Sequence, residues 1–125
     1  GLHIGQSDLD ISAARNILGH NRIIGVSTHT ISQARRAQQS GANYIGVGPV
    51  FSTATKDYEP PVGLEYLQQV KKEITIPFVA VGGINLSNIQ KVFHAGGRRV
   101  AICTAIICSE NILDVTRFFK GVLIA

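Results

Sequence analysis

Cysteines, aromatic rings and long apolar runs are all scarce in this 125-residue chain, and each scarcity excludes a class of protein. Two cysteines do not make the disulfide framework of a small secreted domain, which favours a reducing compartment, the cytoplasm or the stroma of a plastid. Apolar runs such as Phe78–Val81 are far shorter than the ~20 residues that span a bilayer. Only 3 tyrosines and 5 phenylalanines are available to stack on bases. We therefore expect no membrane span and no nucleic-acid partner.

The positive charge of the chain is modest and scattered. Twelve lysines and arginines stand against 8 acidic residues, a formal net charge of +4. The basic residues form short pairs such as Arg35–Arg36 and Arg98–Arg99, which are typical of solvated helix faces. An excess of this size remains compatible with small anionic substrates. Since 45% of the residues are apolar and no linker or low-complexity tract interrupts them, we expect residues 1–125 to form a single domain.

Short apolar, β-branched runs alternate with helical patterns along the chain. The predicted strands are Leu2–Ile4, Ile23–Val26, Tyr44–Val50, Phe78–Val81 and Val100–Cys103. Runs that are continuously apolar are typical of strands buried on both faces of a parallel sheet. Helical stripes follow four of these strands, and the first stripe begins with a Thr30-x-x-Gln33 capping box. The alternation predicts a parallel α/β fold, either a barrel or a doubly wound sheet.

Polar residues follow directly after the predicted strands, where both α/β architectures place their active sites. These segments are residues 6–8, 27–30, 53–56 and 82–85, together with Thr104. Asp8 offers a carboxylate of the kind that Mg²⁺ prefers, and a helix cap is the alternative role for this residue. His29 could move protons near neutral pH, or it could hold a structural hydrogen bond.

Two of these segments suit an anion. Thr53-Ala54-Thr55-Lys56 offers two hydroxyls and an ammonium group, although an ordinary polar loop has the same composition. Gly82-Gly83, just before a predicted helix start at Asn85, allows backbone N–H groups to approach a phosphate, and a plain tight turn is the alternative. Cys103 is predicted to pack inside its strand. The remaining histidines, His3, His20 and His94, are predicted to be structural or surface residues.

Four stretches of the chain, in order and at the right spacing, together carry a family resemblance. They are Gly-Leu-His-Ile-Gly-Gln-Ser-Asp (1–8), Ile-Gly-Val-Ser-Thr-His-Thr (24–30), Gly-Ala-Asn-Tyr-Ile-Gly-Val-Gly-Pro-Val-Phe-Ser-Thr-Ala-Thr-Lys (41–56) and Pro-Phe-Val-Ala-Val-Gly-Gly-Ile-Asn (77–85). The chain resembles the C-terminal portion of the thiamine phosphate synthase family. This resemblance implies a (β/α)₈ TIM barrel, here an incomplete barrel of about five strands and five helices. It also implies condensation of hydroxymethylpyrimidine diphosphate with thiazole phosphate, giving thiamine phosphate and pyrophosphate.

The resemblance also implies a role for individual residues. Lys56 and Ser27 would be the catalytic residues, Lys56 neutralising the departing pyrophosphate and Ser27 contacting the pyrimidine diphosphate. Asp8 would be a ligand of the Mg²⁺ cofactor. The thiazole phosphate site would be formed by Thr53, Ala54, Thr55, Gly83 and the backbone of Cys103 and Thr104.

The sequence departs from the family pattern in ways that keep other functions open. We expect the first three strands of the family to be missing, and with them a basic segment and an Asn-Asp pair that supplies a further Mg²⁺ ligand. Five strands do not close an eight-stranded barrel. The alternatives are therefore a thiazole tautomerase, a catalytically inactive fragment, or a phosphate-binding half-barrel. Such a half-barrel would be completed by self-association or by a complementing N-terminal half, because open sheet edges invite pairing.

Overall fold

The computed structural model describes residues 1–53 and 60–124, which form five strands and six helices. In chain order the elements are β1 (Leu2–Ile4), α1 (Ile11–Leu18), β2 (Ile24–Thr28), α2 (Ile31–Gln39), β3 (Tyr44–Val47), α3 (Gly63–Glu73), β4 (Phe78–Val81), α4 (Ile89–His94), β5 (Val100–Ala101), α5 (Thr104–Ile107) and α6 (Ile112–Ile124). All five predicted strands are present. The helix count exceeds the expected five because the short α5 precedes α6. None of the helices in residues 1–53 and 60–124 has the length and apolar character of a membrane span.

Side-chain hydrogen bonds to backbone N–H groups mark where helices α1 and α2 begin. The predicted capping box of α2 is present: the Thr30 side chain accepts from the Gln33 N–H, and the Gln33 side chain accepts from the Thr30 N–H. The cap of α1 is Asp10, whose side chain accepts from the Ala13 N–H at 2.9 Å. The alternative role of Asp8 as a helix cap is therefore wrong. Helix α4 begins after Asn88, three residues beyond the predicted start, because a turn stabilised by side-chain amides precedes it.

The sheet is entirely parallel, and its strands lie side by side in chain order, β1-β2-β3-β4-β5. Each strand is added next to its predecessor, in registers such as Val26 beside Ile45 and Ile45 beside Phe78. A doubly wound sheet would reverse this order at a switch point. The uninterrupted order is that of a TIM barrel, of which the described residues supply five strands.

The two faces of the sheet have different environments. Side chains alternate between faces along a strand, so one face carries Ile24, Val26, Ile45, Val47 and Ala80, all buried beneath the helices. Their helical partners include fully buried residues, among them Ala34, Leu67, Val70, Ile89 and Val92. The opposite face, called the inner face below, carries His3, Ser27, Tyr44, Gly46, Val79 and Val81. Val81 there is 39% exposed, whereas Val47 on the helix-covered face is fully buried, so among the described residues the hydrophobic core lies on the helix side of the sheet.

Two strands end earlier than the sequence predicts. Strand β3 stops at Val47 because the chain turns at Gly48-Pro49, and proline has no N–H for a ladder. Beyond the turn, the N–H groups of Val50 and Phe51 donate to the carbonyls of Val81 and Gly82. Strand β5 stops at Ala101, so the prediction that Cys103 packs inside a strand is wrong. Cys103 is exposed and precedes the first residue of α5.

Candidate functional site

A cavity of about 990 Å³ runs along the inner face of the sheet to the carboxyl ends of the strands. Five of the predicted site residues line it: Ser27, Thr53, Gly83, Cys103 and Thr104. These residues come from the ends of β2, β3, β4 and β5, so strand order brings them together although 77 positions separate the first from the last (104 − 27). Ala54, Thr55 and Lys56 lie outside the described residues. Asp8 is not among the residues that line the cavity.

Ser27 is hydrogen-bonded through a histidine to a tyrosine. The Nε2 atom of His3 lies 2.9 Å from the Ser27 hydroxyl, and its Nδ1 atom lies 2.9 Å from the Tyr44 hydroxyl. Gly25 stands between the two rings in the sheet, paired with His3 on one side and Tyr44 on the other. A Cβ at Gly25 would lie 2.1 Å from the Tyr44 ring, so glycine leaves the space that lets the rings meet. The imidazole therefore orients the Ser27 hydroxyl on the inner face.

His3 was predicted to be a structural or surface residue, and it is exposed, but its hydrogen bond to Ser27 was not predicted. The alternation of side chains along each strand could have pointed to this contact, because His3 and Ser27 fall on the same face once β1 and β2 pair in this register. That register was not visible in the sequence.

His29 also lines the cavity and is held by its neighbours. Its Nδ1 atom lies 2.6 Å from the Gly48 carbonyl, and its backbone N–H donates to the Gln33 side chain at 2.7 Å. Because a carbonyl oxygen only accepts, this partner assigns the proton of the neutral ring to Nδ1. His29 thus makes the structural hydrogen bond that was one of its two expected roles.

The segment after β4 approaches the segment after β3 very closely. Gly82 and Gly83 have φ values of +98° and +63°, which glycine adopts readily. A Cβ at Gly83 would lie 2.5 Å from the Ser52 carbonyl oxygen. The Phe51 N–H donates to the Gly82 carbonyl at 3.1 Å, and the Asn88 side-chain amide donates to the Gly83 carbonyl at 2.9 Å. Glycine is therefore required at position 83 both for its conformation and for its lack of a side chain.

Asp8 closes a turn beside the strand ends. Its Oδ2 atom accepts from the Gly5 N–H at 2.6 Å, and the side chain is exposed. Among residues 1–53 and 60–124, no group of three or more histidines, cysteines or acidic residues stands together as a metal site. Within these residues Asp8 is therefore not part of a preformed group of three or more metal-ligating side chains.

A buried hydroxyl pair supports the strand ends from the helix side. The Tyr66 hydroxyl on α3 donates to Thr28 Oγ1 at 2.7 Å, and Thr28 Oγ1 donates to the Gly46 carbonyl at 2.8 Å. Burial raises the pKa of Tyr66, so the phenol stays a neutral donor. Thr28 is fully buried, whereas its neighbours Ser27 and His29 face the cavity. This pair links α3 to the strand that carries Ser27.

Residues 1–106 match the family model of thiamine monophosphate synthase. The chain belongs to the thiamine monophosphate synthase family. Over 124 residues it is 48% identical to the thiamine-phosphate synthase of Halalkalibacterium halodurans, an alignment that covers 98% of this chain and 59% of that protein. The thiamine-phosphate synthase of Pelotomaculum thermopropionicum is 46% identical, with 98% of this chain and 57% of that protein covered.

A solved structure agrees with this family assignment. The thiamine phosphate pyrophosphorylase from Pyrococcus furiosus superposes with a TM-score of 0.89 at 32% identity, covering 98% of this chain and 58% of that one. The chain thus spans little more than half the length of the thiamine monophosphate synthase relatives it matches.

Proposed function

We propose that the protein catalyses, or supplies part of the site for, the thiamine-phosphate synthase reaction. Hydroxymethylpyrimidine diphosphate and thiazole phosphate would condense to thiamine phosphate and pyrophosphate. One observation carries this proposal: Ser27, Gly83 and Thr104 line a single cavity at the carboxyl ends of consecutive parallel strands. The 48% identity to a thiamine-phosphate synthase favours this reaction over that of a thiazole tautomerase.

The proposed reaction needs positioning and charge neutralisation more than covalent help. The bond between the pyrimidine methylene and its diphosphate oxygen breaks, and the electron pair leaves with the diphosphate. The lone pair of the thiazole nitrogen then forms the new carbon–nitrogen bond to the methylene cation. A site that holds both reactants in line and neutralises the leaving group lowers the barrier to this step.

We assign Ser27 and Lys56 to the pyrimidine diphosphate. The Ser27 hydroxyl is oriented by His3, which leaves it preorganised to hydrogen-bond the diphosphate. The Lys56 ammonium, outside the described residues, would neutralise charge on the departing pyrophosphate. Because that charge grows as the bond breaks, a cation there stabilises the transition state more than the bound substrate.

We assign the thiazole phosphate to the other side of the cavity. Gly83, Ile84 and Thr104, at the start of α5, line this part of the cavity, and their backbone N–H groups would bind the phosphate. Thr53, Ala54 and Thr55 would complete this part of the site with hydroxyl and backbone donors. Cys103 would contribute its backbone alone.

Mg²⁺ is the proposed cofactor, with Asp8 as one ligand. Magnesium in phosphate-transfer sites commonly takes one or two protein carboxylates and fills its coordination with water and substrate phosphates. The exposed Asp8 carboxylate fits that pattern, because one oxygen is held by Gly5 while the other stays available. Bound there, the ion would supply positive charge to the diphosphate.

We further propose that turnover requires barrel strands beyond the five described. Within the described residues, β1 and β5 each pair with a neighbour on one side only. The missing pairing would come from the same polypeptide, from a complementing N-terminal half, or from self-association.

The proposed compartment is the cytoplasm. Cys103 and Cys108 are both exposed and free, as is usual for cysteines under reducing conditions.

The proposal is tested by measuring thiamine phosphate formation from the two substrates with MgCl₂. The chain is assayed alone and together with the part of the Halalkalibacterium halodurans enzyme that lies outside the matched region. We expect turnover in at least the second arm, and a loss on the order of 10²-fold in Ser27→Ala but none in the exposed Ser32→Ala control. Absence of thiamine phosphate in both arms, or equal activity of the two serine variants, would refute the assignment.

A further inference from the structure

We infer that Asn88 is a positioning residue for the phosphate-binding backbone after β4. This inference rests on the proposed function, since it concerns the segment assigned to the thiazole phosphate. Asn88 lies five residues beyond Gly83, at the start of α4 and partly buried.

The Asn88 side chain spans the segment between Gly83 and Asn85. Its Nδ2 group donates to the Gly83 carbonyl at 2.9 Å, and its Oδ1 atom accepts from the Asn85 N–H at 2.8 Å. One planar amide therefore uses both its donor and its acceptor on the same short loop. The Asn85 side chain makes a longer contact to the Gly83 carbonyl, at 3.4 Å, and its Oδ1 atom accepts from Ser87. Asn88 is thus the main side-chain support of this loop.

These hydrogen bonds determine where two backbone donors point. In a trans peptide the carbonyl and the following N–H point in opposite directions. The Gly83 carbonyl is turned toward Asn88, so the Ile84 N–H is directed away from it. The Gly82 carbonyl is turned toward the Phe51 N–H, so the Gly83 N–H is directed away from Phe51.

Both oriented donors belong to residues that line the cavity. Gly83 and Ile84 are among the lining residues, and neither N–H donates to an acceptor within the part of the chain that the structure describes. Adjacent N–H groups with this arrangement bind anionic oxygens. Since Asn88 holds the second peptide in place, its amide prepares the pair for a phosphate without touching the phosphate.

The experiment separates positioning from general support of the helix. Asn88→Ala removes both hydrogen bonds, whereas Asn88→Ser supplies a residue that favours helix starts but has no amide to reach the Gly83 carbonyl. Asn16→Ala, on the exposed side of α1, is the matched control. Each protein is assayed for KM of both substrates and for kcat, in whichever arm of the activity assay turns over.

We expect KM for thiazole phosphate to rise about tenfold in both Asn88 variants, the effect of losing one well-placed hydrogen bond. The KM for the pyrimidine diphosphate and kcat should stay within about twofold, because the backbone donors bind ground state and transition state equally. An unchanged KM for thiazole phosphate overturns the inference. So does a parallel change in both KM values and kcat, which would make Asn88 a structural residue only.

A second readout does not depend on turnover. Inorganic phosphate is titrated into the ¹⁵N-labelled chain, and the amide signals of Gly83 and Ile84 are followed. We expect both signals to move in the unsubstituted chain, with an apparent affinity about tenfold weaker in Asn88→Ser. If this holds while no thiamine phosphate forms, the proposed function fails and the role of Asn88 stands. If neither signal responds to phosphate, the inference is overturned whatever the activity.

Discussion

Replacing Gly83 by alanine probes how closely the two loops at the cavity approach each other. The added Cβ would lie 2.5 Å from the Ser52 carbonyl oxygen and 2.8 Å from the Phe51 Cβ. Neither atom can move without displacing backbone, because the Phe51 N–H is bonded to the Gly82 carbonyl. The substitution must therefore push the two loops apart.

The magnitude follows from two separate effects. At φ +63° an L-residue occupies the left-handed region, which costs about 1–2 kcal/mol. Overpacking against a fixed backbone adds about 1–3 kcal/mol. We expect Gly83→Ala to lower the free energy of unfolding by about 2–5 kcal/mol, a large share of the roughly 5–15 kcal/mol of a typical domain.

Gly41 supplies a matched control for the conformational effect. It has φ +84°, and a Cβ there would meet no atom within 4 Å. Gly41→Ala should therefore lower the free energy of unfolding only by the cost of the left-handed backbone conformation, about 1–2 kcal/mol. The difference between the two variants isolates the contact between the loops.

The assay is urea unfolding of the chain and both variants, with the free energy of unfolding compared at equal m-values. Equal losses in the two variants would refute the packing described at Gly83. The same variant should also bind inorganic phosphate more weakly than Gly41→Ala, because the displaced loop carries the Gly83 and Ile84 N–H groups.

Three further predictions test other parts of the structure. Tyr66→Phe should lower the free energy of unfolding by about 1 kcal/mol, because it removes the donor to Thr28; an unchanged urea midpoint contradicts this pairing. Arg35 donates to Glu73 and holds the pKa of that carboxyl below its ordinary value of 4.5. Stability from this pair is then present above the ordinary pKa and lost as pH falls through the lowered one. The difference in melting temperature between the chain and Arg35→Gln should thus shrink below pH 4.5, and a difference that grows there would contradict it. Asp8→Asn should raise the Mg²⁺ concentration needed for half-maximal activity by at least about tenfold, because losing even a group that supports a metal ligand commonly has an effect of this size. Asp10→Asn, which keeps a side-chain oxygen to cap α1, should leave the Mg²⁺ dependence unchanged.

Local chemistry was enough to locate most of the elements. Phe78–Val81 is apolar throughout and forms β4 as predicted, because a strand covered by neighbours needs no polar face. The Thr30–Gln33 capping box starts α2 as predicted, since both partners lie within one turn. The position of Ser27, Gly83 and Thr104 at the carboxyl ends of the strands also followed from the sequence, because these ends meet at one edge of a parallel sheet.

The sequence left open choices that depend on backbone geometry. Asp8 and Asp10 are both able to cap a helix, and only the path of the chain decides that Asp10 caps α1 while Asp8 binds the Gly5 N–H. Barrel and doubly wound sheet share the same alternation of strands and helices. The order of strands in the sheet decides between them, and that order is a property of pairing across the whole chain.

Tertiary structure alone produced the hydrogen bonds that prepare the site. His3 reaches Ser27 across 24 positions of sequence because β1 and β2 pair in one register, and Gly25 leaves room for Tyr44 beside it. A shift by one residue would place the imidazole on the opposite face. Composition and periodicity report how each segment buries its own side chains, whereas the partner of a polar side chain depends on which segments lie beside it. The sequence therefore determined the helices and strands and the residues that follow the strand ends. The fold decided which side chains orient the groups in the cavity.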